Sequence, residues 1–150
     1  METIYDILSK EHKIVLGMFE ETSGSISKEA LFRIKAEIEP HMAGEEKLYY
    51  PLLEEKEESS DAARKAHIEH NEARALMYEL EGMDENSEDW TTRLNELKEA
   101  IMHHVQDEES KVFEVSRNIL GQQKAEELAR KYLEFKTSYR EKIEAGESLA

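Results

Sequence analysis

Two stretches decide how this chain folds: His41-Met42-Ala43-Gly44-Glu45-Glu46 and His104-Val105-Gln106-Asp107-Glu108-Glu109. Each sets a histidine and a glutamate four residues apart, one helical turn, so both side chains leave the same face of a helix. Working outward, the apolar residues around each pair fall into phase with it. Leu31, Ile34, Ile38, His41, Glu45, Leu48 and Leu52 follow steps of three and four, as do Trp90, Leu94, Leu97, Ile101, His104, Glu108, Val112, Val115 and Ile119. Two further stripes each carry a single histidine: Ile4, Leu8, His12, Val15, Phe19, and Ala63, Ala66, His70, Ala73, Met77, Leu80. His12, His41, Glu45, His70, His104 and Glu108 therefore point into one apolar interior. A buried ionised carboxylate is costly unless a cation answers it. No lysine or arginine lies in register near the middle of these stripes.

The punctuation between the stripes predicts an all-α protein. Two prolines and six glycines in 150 residues leave long uninterrupted helices. Thr3 with Asp6 predicts a partial capping box for a first helix running to about Thr22. Ser23-Gly24-Ser25 reads as a loop and Ser27 as the next cap. The second helix is expected from Lys28 to Glu57, bent at Pro40 and bent or ended at Pro51. Ser59-Ser60-Asp61 restarts the chain, and a third helix runs to Glu81 with Gly82 as its stop. After a linker, Met83 to Asn86, Ser87 caps a fourth helix that ends near Leu120 and Gly121. A fifth, about 122–145, either extends the fourth or packs across one end, and residues 146–150 are expected to fray. Its stripe, Leu128, Tyr132, Phe135 and Tyr139, covers the bundle or makes a homodimer. Four helices of similar length with short links predict one domain over 1–145, an antiparallel up-down-up-down four-helix bundle with an extra C-terminal helix. A weak internal repeat relates its halves: His12 to His70 at an offset of 58, and His41–Glu45 to His104–Glu108 at an offset of 63.

Composition narrows the function. Lys and Arg number 20 against 35 Asp and Glu, a net charge of −15, which argues against nucleic acid and anionic membranes as partners. The absence of cysteine excludes disulfides, thiolate metal sites and cysteine nucleophiles. Residues 1–13 lack the apolar core of a signal peptide, and no apolar run is long enough to span a membrane, so a cytoplasmic location is expected.

Imidazole and carboxylate together suit iron, manganese or zinc. Six protein ligands are too many for one zinc with an open position. They fit two ions, His12 and His41 on one, His70 and His104 on the other, with Glu45 and Glu108 between them. Ferritin-like bundles use Glu-x-x-His, and none of the six histidines has a glutamate three residues before it. His67 shares a row with Arg64, Asn71 and Arg74, which reads as a solvated flank, although it is the best spare ligand; His103 sits beside Glu99, Asp107 and Ser110 on another flank. Glu46 and Glu109, one step off the stripe, read as acceptors for ring N–H groups or as surface charge.

These pieces together resemble the haemerythrin-like, or HHE cation-binding, family. The matching segments are Lys10-Glu11-His12, His41 to Glu46 running on to Tyr50-Pro51, Glu69-His70 before Ala73 to Leu80, and His104 to Glu109, over roughly residues 1–120. The resemblance implies a non-haem di-iron centre, two iron ions with an oxide or hydroxide bridge, and O2, NO or redox chemistry at an open position. Oxygen carriers of that family have a fifth histidine four residues before the ligand of the third helix, where this chain has Ala66. They also have an aspartate five residues after the histidine of the fourth, where this chain has Glu108 four after His104. Both departures point toward the bacterial and archaeal HHE proteins. The expectation is a di-iron binding protein handling O2, NO, redox or iron signals. The alternatives are a di-iron oxidoreductase or iron-sulfur repair factor, and a helical interaction protein with zinc or no metal. Repair-type relatives usually carry a cysteine-bearing N-terminal domain, which is not expected here.

Overall fold

The computed structural model describes residues 1–21 and 26–146. The expected end of the first helix at Thr22, the loop 23–25 and most of the fraying tail lie outside them. Among the described residues there is no strand. The helices are α1 (Ile4–Glu21), α2 (Lys28–Gly44), α3 (Tyr50–Glu54), α4 (Glu57–Glu81), α5 (Glu88–Asp107) and α6 (Phe113–Glu144). They form the antiparallel up-down-up-down four-helix bundle, with the C-terminal part of the chain laid against α1 and α2. The caps form as their residue types dictate. Thr3 N–H donates to Asp6 Oδ2 at 2.9 Å while Asp6 N–H donates to Thr3 Oγ1 at 3.3 Å. Ser27 and Ser87 accept from the N–H groups of Ala30 and Trp90, each at 3.2 Å.

Two features depart from straight helical phase. Residues Glu45–Tyr49 and Glu108–Val112 are single π turns, and the N–H groups of Tyr50 and Phe113 donate five residues back, to the carbonyls of Glu45 and Glu108. A π turn inserts one extra residue per turn, so every position after it rotates out of the α-helical register. Leu48, Leu52 and Val115, expected in the core, are only partly buried. Tyr49, Tyr50, Leu53, Phe113 and Ser116 are buried in their place. Pro51 accounts for part of this: it has no N–H to offer the preceding turn, and a widened turn relieves its ring clash. Pro40 causes no break, since α2 runs through it to Gly44.

The restart expected at Ser59 also lies slightly off. α4 begins at Glu57 after an extended Lys56, and the buried Ser59 hydroxyl donates to the Leu53 carbonyl at 2.5 Å. Ser59 thus satisfies the end of α3 instead of capping α4.

The core has two apolar clusters separated by a polar layer. One holds Val15, Phe19, Ile34, Met77, Trp90 and Leu97; the other holds Ile4, Leu8, Tyr49, Leu53, Phe113 and Leu128. The histidines lie between them. α6 breaks at Gly121, whose φ of 74° is easy only for glycine. Beyond the break, Leu128 and Tyr132 are buried while Phe135 and Tyr139 are partly covered, so this stripe packs on the bundle. The close approach depends on Gly44. A Cβ there would stand 2.6 Å from Tyr132 Cε2 and 3.3 Å from Phe135 Cδ1. Gly44→Ala should therefore destabilise by about 1–3 kcal/mol, read as a lower midpoint in urea or thermal unfolding. An unchanged midpoint would mean that α6 does not pack there.

Candidate metal centre

All six residues predicted to converge do so. His12, His41, His70, His104, Glu45 and Glu108 are buried, the two glutamates completely. His12 and His41 lie side by side with ring centroids 4.9 Å apart, and His70 and His104 make a second pair at 4.7 Å. Each carboxylate stands between the pairs. Glu45 Oε1 is 3.0 Å from His41 Nε2 and 3.3 Å from His70 Nε2. Glu108 faces His12 Nε2 through Oε1 at 3.1 Å and His104 Nε2 through Oε2 at 3.7 Å. Both central glutamates open a π turn, a local geometry that recurs at functional sites.

The outer face of each imidazole is also held. A carboxylate can only accept, so each Nδ1 donates: His12 to Glu109 (2.6 Å), His41 to Glu11 (2.8 Å), His70 to Glu46 (2.7 Å) and His104 to Glu69 (2.8 Å). This ring obeys the sequence repeat. An offset of 58 carries Glu11 to Glu69 while 63 carries its partner His41 to His104; an offset of 63 carries Glu46 to Glu109 while its partner His70 is exchanged for His12, 58 residues earlier. The four Nε2 atoms are thereby aimed inward by the same device twice over. Glu46 and Glu109 were legible as ring acceptors. Glu11 and Glu69 were missed, although each stands in a Glu-His doublet. The doublet does not tell that each glutamate serves the histidine of a neighbouring helix instead of its own.

The outer carboxylates differ in their support. Glu46 takes a bidentate pair from Arg74 at 2.8 and 2.9 Å. Glu11 accepts from Tyr132 and from the buried Lys136, each at 2.5 Å, which ties the C-terminal helix to His41. His67 is not brought to the centre; its Nε2 lies 4.0 Å from Glu46 with the side chain half exposed. His103 is exposed on the flank, 3.2 Å from Asp107 and 3.5 Å from Glu69.

Electrostatics show what the arrangement lacks. Burial alone would raise the pKa of Glu45, but the facing His41 charge holds it well below the ordinary carboxylate range. Burial would lower His41 as well, yet Glu45 and Glu11 push it up to about 10. Protons on the rings thus do the work of a cation. Even so, His12 Nε2, His41 Nε2, both oxygens of Glu45 and Glu108 Oε1 are buried without a hydrogen bond. Orphaned buried atoms of this kind are rare in proteins. These are nitrogen and carboxylate donors, gathered as Glu45, His70, His104 and Glu108 on one side and His12, His41 and Glu108 on the other. The donor set fits a metal of the iron, manganese or zinc type. Above it, toward the first apolar cluster, a cavity of ≈ 20 Å³ is lined by the four histidines with Val15, Ile38, Met42 and Ile101.

The outer ring makes a prediction. Glu11→Gln should weaken metal binding about 10–100-fold, the usual effect of losing such a partner, and also lower the unfolding midpoint, since the buried Lys136 loses its acidic partner. His103→Ala should leave affinity unchanged. Competition titrations with a chelator would read both, and loss with His103→Ala would overturn the assignment of that face as a flank.

The chain is similar to known proteins in sequence family and in fold. The family model described as Hemerythrin HHE cation binding domain matches residues 3–115. An uncharacterized hemerythrin-like protein of Schizosaccharomyces pombe is 26% identical over 115 residues, 73% of this chain and 57% of that protein. A DNA nickase of Nostoc sp. is 23% identical over 144 residues, 93% of this chain and 41% of that protein. The chain thus spans about half the length of the curated relatives it matches. The crystal structure of a hemerythrin HHE cation binding domain-containing protein from Mycobacterium kansasii superposes with a TM-score of 0.79 at 21% identity. It covers 96% of this chain and 93% of that one, a likeness of fold.

Proposed function

Because this chain belongs to the hemerythrin HHE cation-binding family, we propose that it holds a pair of non-haem iron ions and binds a small ligand such as O2 or NO, as a carrier or sensor of that ligand or of redox and iron state. The observation that carries this reading is the set of orphaned Nε2 and carboxylate atoms buried between two histidine pairs. His12 and His41 would hold one ion, His70 and His104 the other, with Glu45 and Glu108 shared. When bound, the iron pair supplies electrons and an open coordination position.

The chain's own residues do the rest. The outer carboxylates fix each ring so that Nε2 faces inward. The apolar wall of Val15, Ile38, Met42 and Ile101 keeps bulk water away and leaves room for a molecule about the size of one water, which suits a diatomic. A net charge of −15 gives no electrostatic footprint for nucleic acid, so the activity named for the Nostoc relative is not carried over. Among the described residues no helix is long and apolar enough to cross a membrane. A cytoplasmic site of action is part of the proposal.

The test is to load the protein with ferrous iron without oxygen, then admit air or NO and follow absorption. The reading expects a stable near-ultraviolet and visible change with no turnover. Steady consumption of added peroxide would make it an oxidoreductase instead.

A further inference from the structure

We propose that Lys136 is a positioning residue for the metal centre: acting through Glu11 and His41, its buried charge raises the reduction potential of the iron and favours the ferrous form. This rests on the metal centre proposed above.

Lys136 comes from the C-terminal part of α6, beyond the residues 3–115 that the family model matches. Past the break at Gly121 this helix lies against α1 and α2, with Tyr132 seated on Gly44. Tyr132 and Lys136 stand one turn apart and both reach Glu11. The Tyr132 hydroxyl donates to Oε1 and Lys136 Nζ to Oε2, each at 2.5 Å. Glu11 Oε1 also accepts from His41 Nδ1 at 2.8 Å. Lysine is among the residues least often buried, yet Lys136 is 7% exposed. Its charge therefore sits two hydrogen bonds from the ring of His41.

The repeat supplies an internal control. Glu69, the counterpart of Glu11 at an offset of 58, holds His104 Nδ1 at the same 2.8 Å, but its other partner is the exposed His103. Glu109 holds His12 at 2.6 Å. Among the described residues, no lysine or arginine pairs with either of these carboxylates. A carboxylate thus orients its imidazole without a buried cation behind it, and what Lys136 adds to the placement of Glu11 is charge. Arg74 gives Glu46 a cation too, but its side chain is 28% exposed and open to screening, against 9% for Lys136.

Electrostatics set the direction. A positive charge held in a buried site disfavours the more positive ferric state. It also draws on Glu11, which weakens the pull of that carboxylate on the His41 ring proton and leaves the imidazole a poorer donor. Both effects raise the potential, and outer hydrogen bonds and burial are the levers by which a protein sets it. The ferrous form is the one from which the proposed binding of O2 or NO starts. No proton leaves Lys136 and no bond to the metal changes; each iron takes up one electron from an added reductant.

The experiment titrates the iron-loaded full chain with a chemical reductant and redox mediators, following the absorption of the ferric state. Lys136→Met should load the same iron content and show a midpoint potential below that of the wild type. Lys131→Met, which removes an exposed lysine of the same helix, should leave the midpoint where it is. A Lys136→Met midpoint equal to or above the wild-type value would overturn the proposal, as would a Lys131→Met shift just as large. A merely structural role would lower the unfolding midpoint and leave the potential unmoved. Should Lys136→Met fail to fold or to load, Tyr132→Phe decides. It removes the other α6 donor to Glu11 and keeps the ring on Gly44, so the potential should again fall, and an unmoved one sinks the proposal. Wild type that binds no iron would instead bring down the metal centre, and this inference with it.

Discussion

Glu108→Ala is expected to empty both halves of the centre at once. Each of its oxygens faces a different histidine pair, Oε1 toward His12 and Oε2 toward His104, and Oε2 also takes the Tyr50 hydroxyl. Among the described residues, Glu45 alone also faces both pairs. Outer partners of a metal site are worth 10–100-fold in affinity, so losing a shared ligand should cost at least about 100-fold. His41→Ala, by contrast, should remove the ion of its own pair first. The helix itself should survive Glu108→Ala, because alanine is the best helix former and keeps the backbone carbonyl that accepts the Phe113 N–H across the π turn. Metal content per chain after dialysis, alongside far-ultraviolet circular dichroism, would check this. Glu108→Ala retaining a full complement of metal would show that the carboxylate is not shared.

Removing the metal from the wild type is expected to produce the second large effect, and one that depends on pH. At free metal about 1,000 times its dissociation constant, binding stabilises the fold by about 4 kcal/mol. For a chain of this size that is a midpoint shift of roughly 10 °C. Without metal, ring protons balance Glu45. Burial lowers His41 and His70, but Glu45 with Glu11 raises the first to about 10, and Glu45 with Glu46 raises the second to about 9, from ordinary values of 6.5. A raised folded-state pKa stabilises fully below the unfolded value and loses that stabilisation as pH climbs through the folded one. The metal-free protein should thus melt progressively lower between pH 6.5 and about 10. The metal-loaded protein should lose much less over the same interval, since the cation has replaced the protons. Thermal melts with and without chelator across that range would measure both curves. Parallel curves would contradict the exchange of protons for metal.

Much of this was written in the spacing of side chains. The stripes through His12 and His70 are buried throughout, and those through His41 and His104 are buried as far as Glu45 and Glu108, as their steps of three and four require; the repeat offsets of 58 and 63 relate the outer carboxylates as well as the central ones. What could not be read was the register beyond Glu45 and Glu108. A π turn adds one residue without any local change of composition, so extrapolating the α-helical period favoured Leu48 and Leu52 over Tyr49, Tyr50 and Leu53. Pro51 was the available hint, and it read only as a bend. The C-terminal helix carried a clearer signal that went unused. Lys136 falls in phase with Leu128 and Tyr132, and a lysine inside an apolar stripe needs an acidic partner, here Glu11 at 2.5 Å. That partner lies 125 positions away in the chain. Local pattern could announce the need but not the residue that meets it.

The shared origin of these expected effects is the proposed pair of metal ions between the two histidine pairs. The direct measurement is metal content of the purified chain, combined with anomalous scattering from crystals at the iron edge. Two iron peaks, one beside His12 and His41 and one beside His70 and His104, are the expected result. Less than one metal ion per chain, or zinc in place of iron, would contradict it.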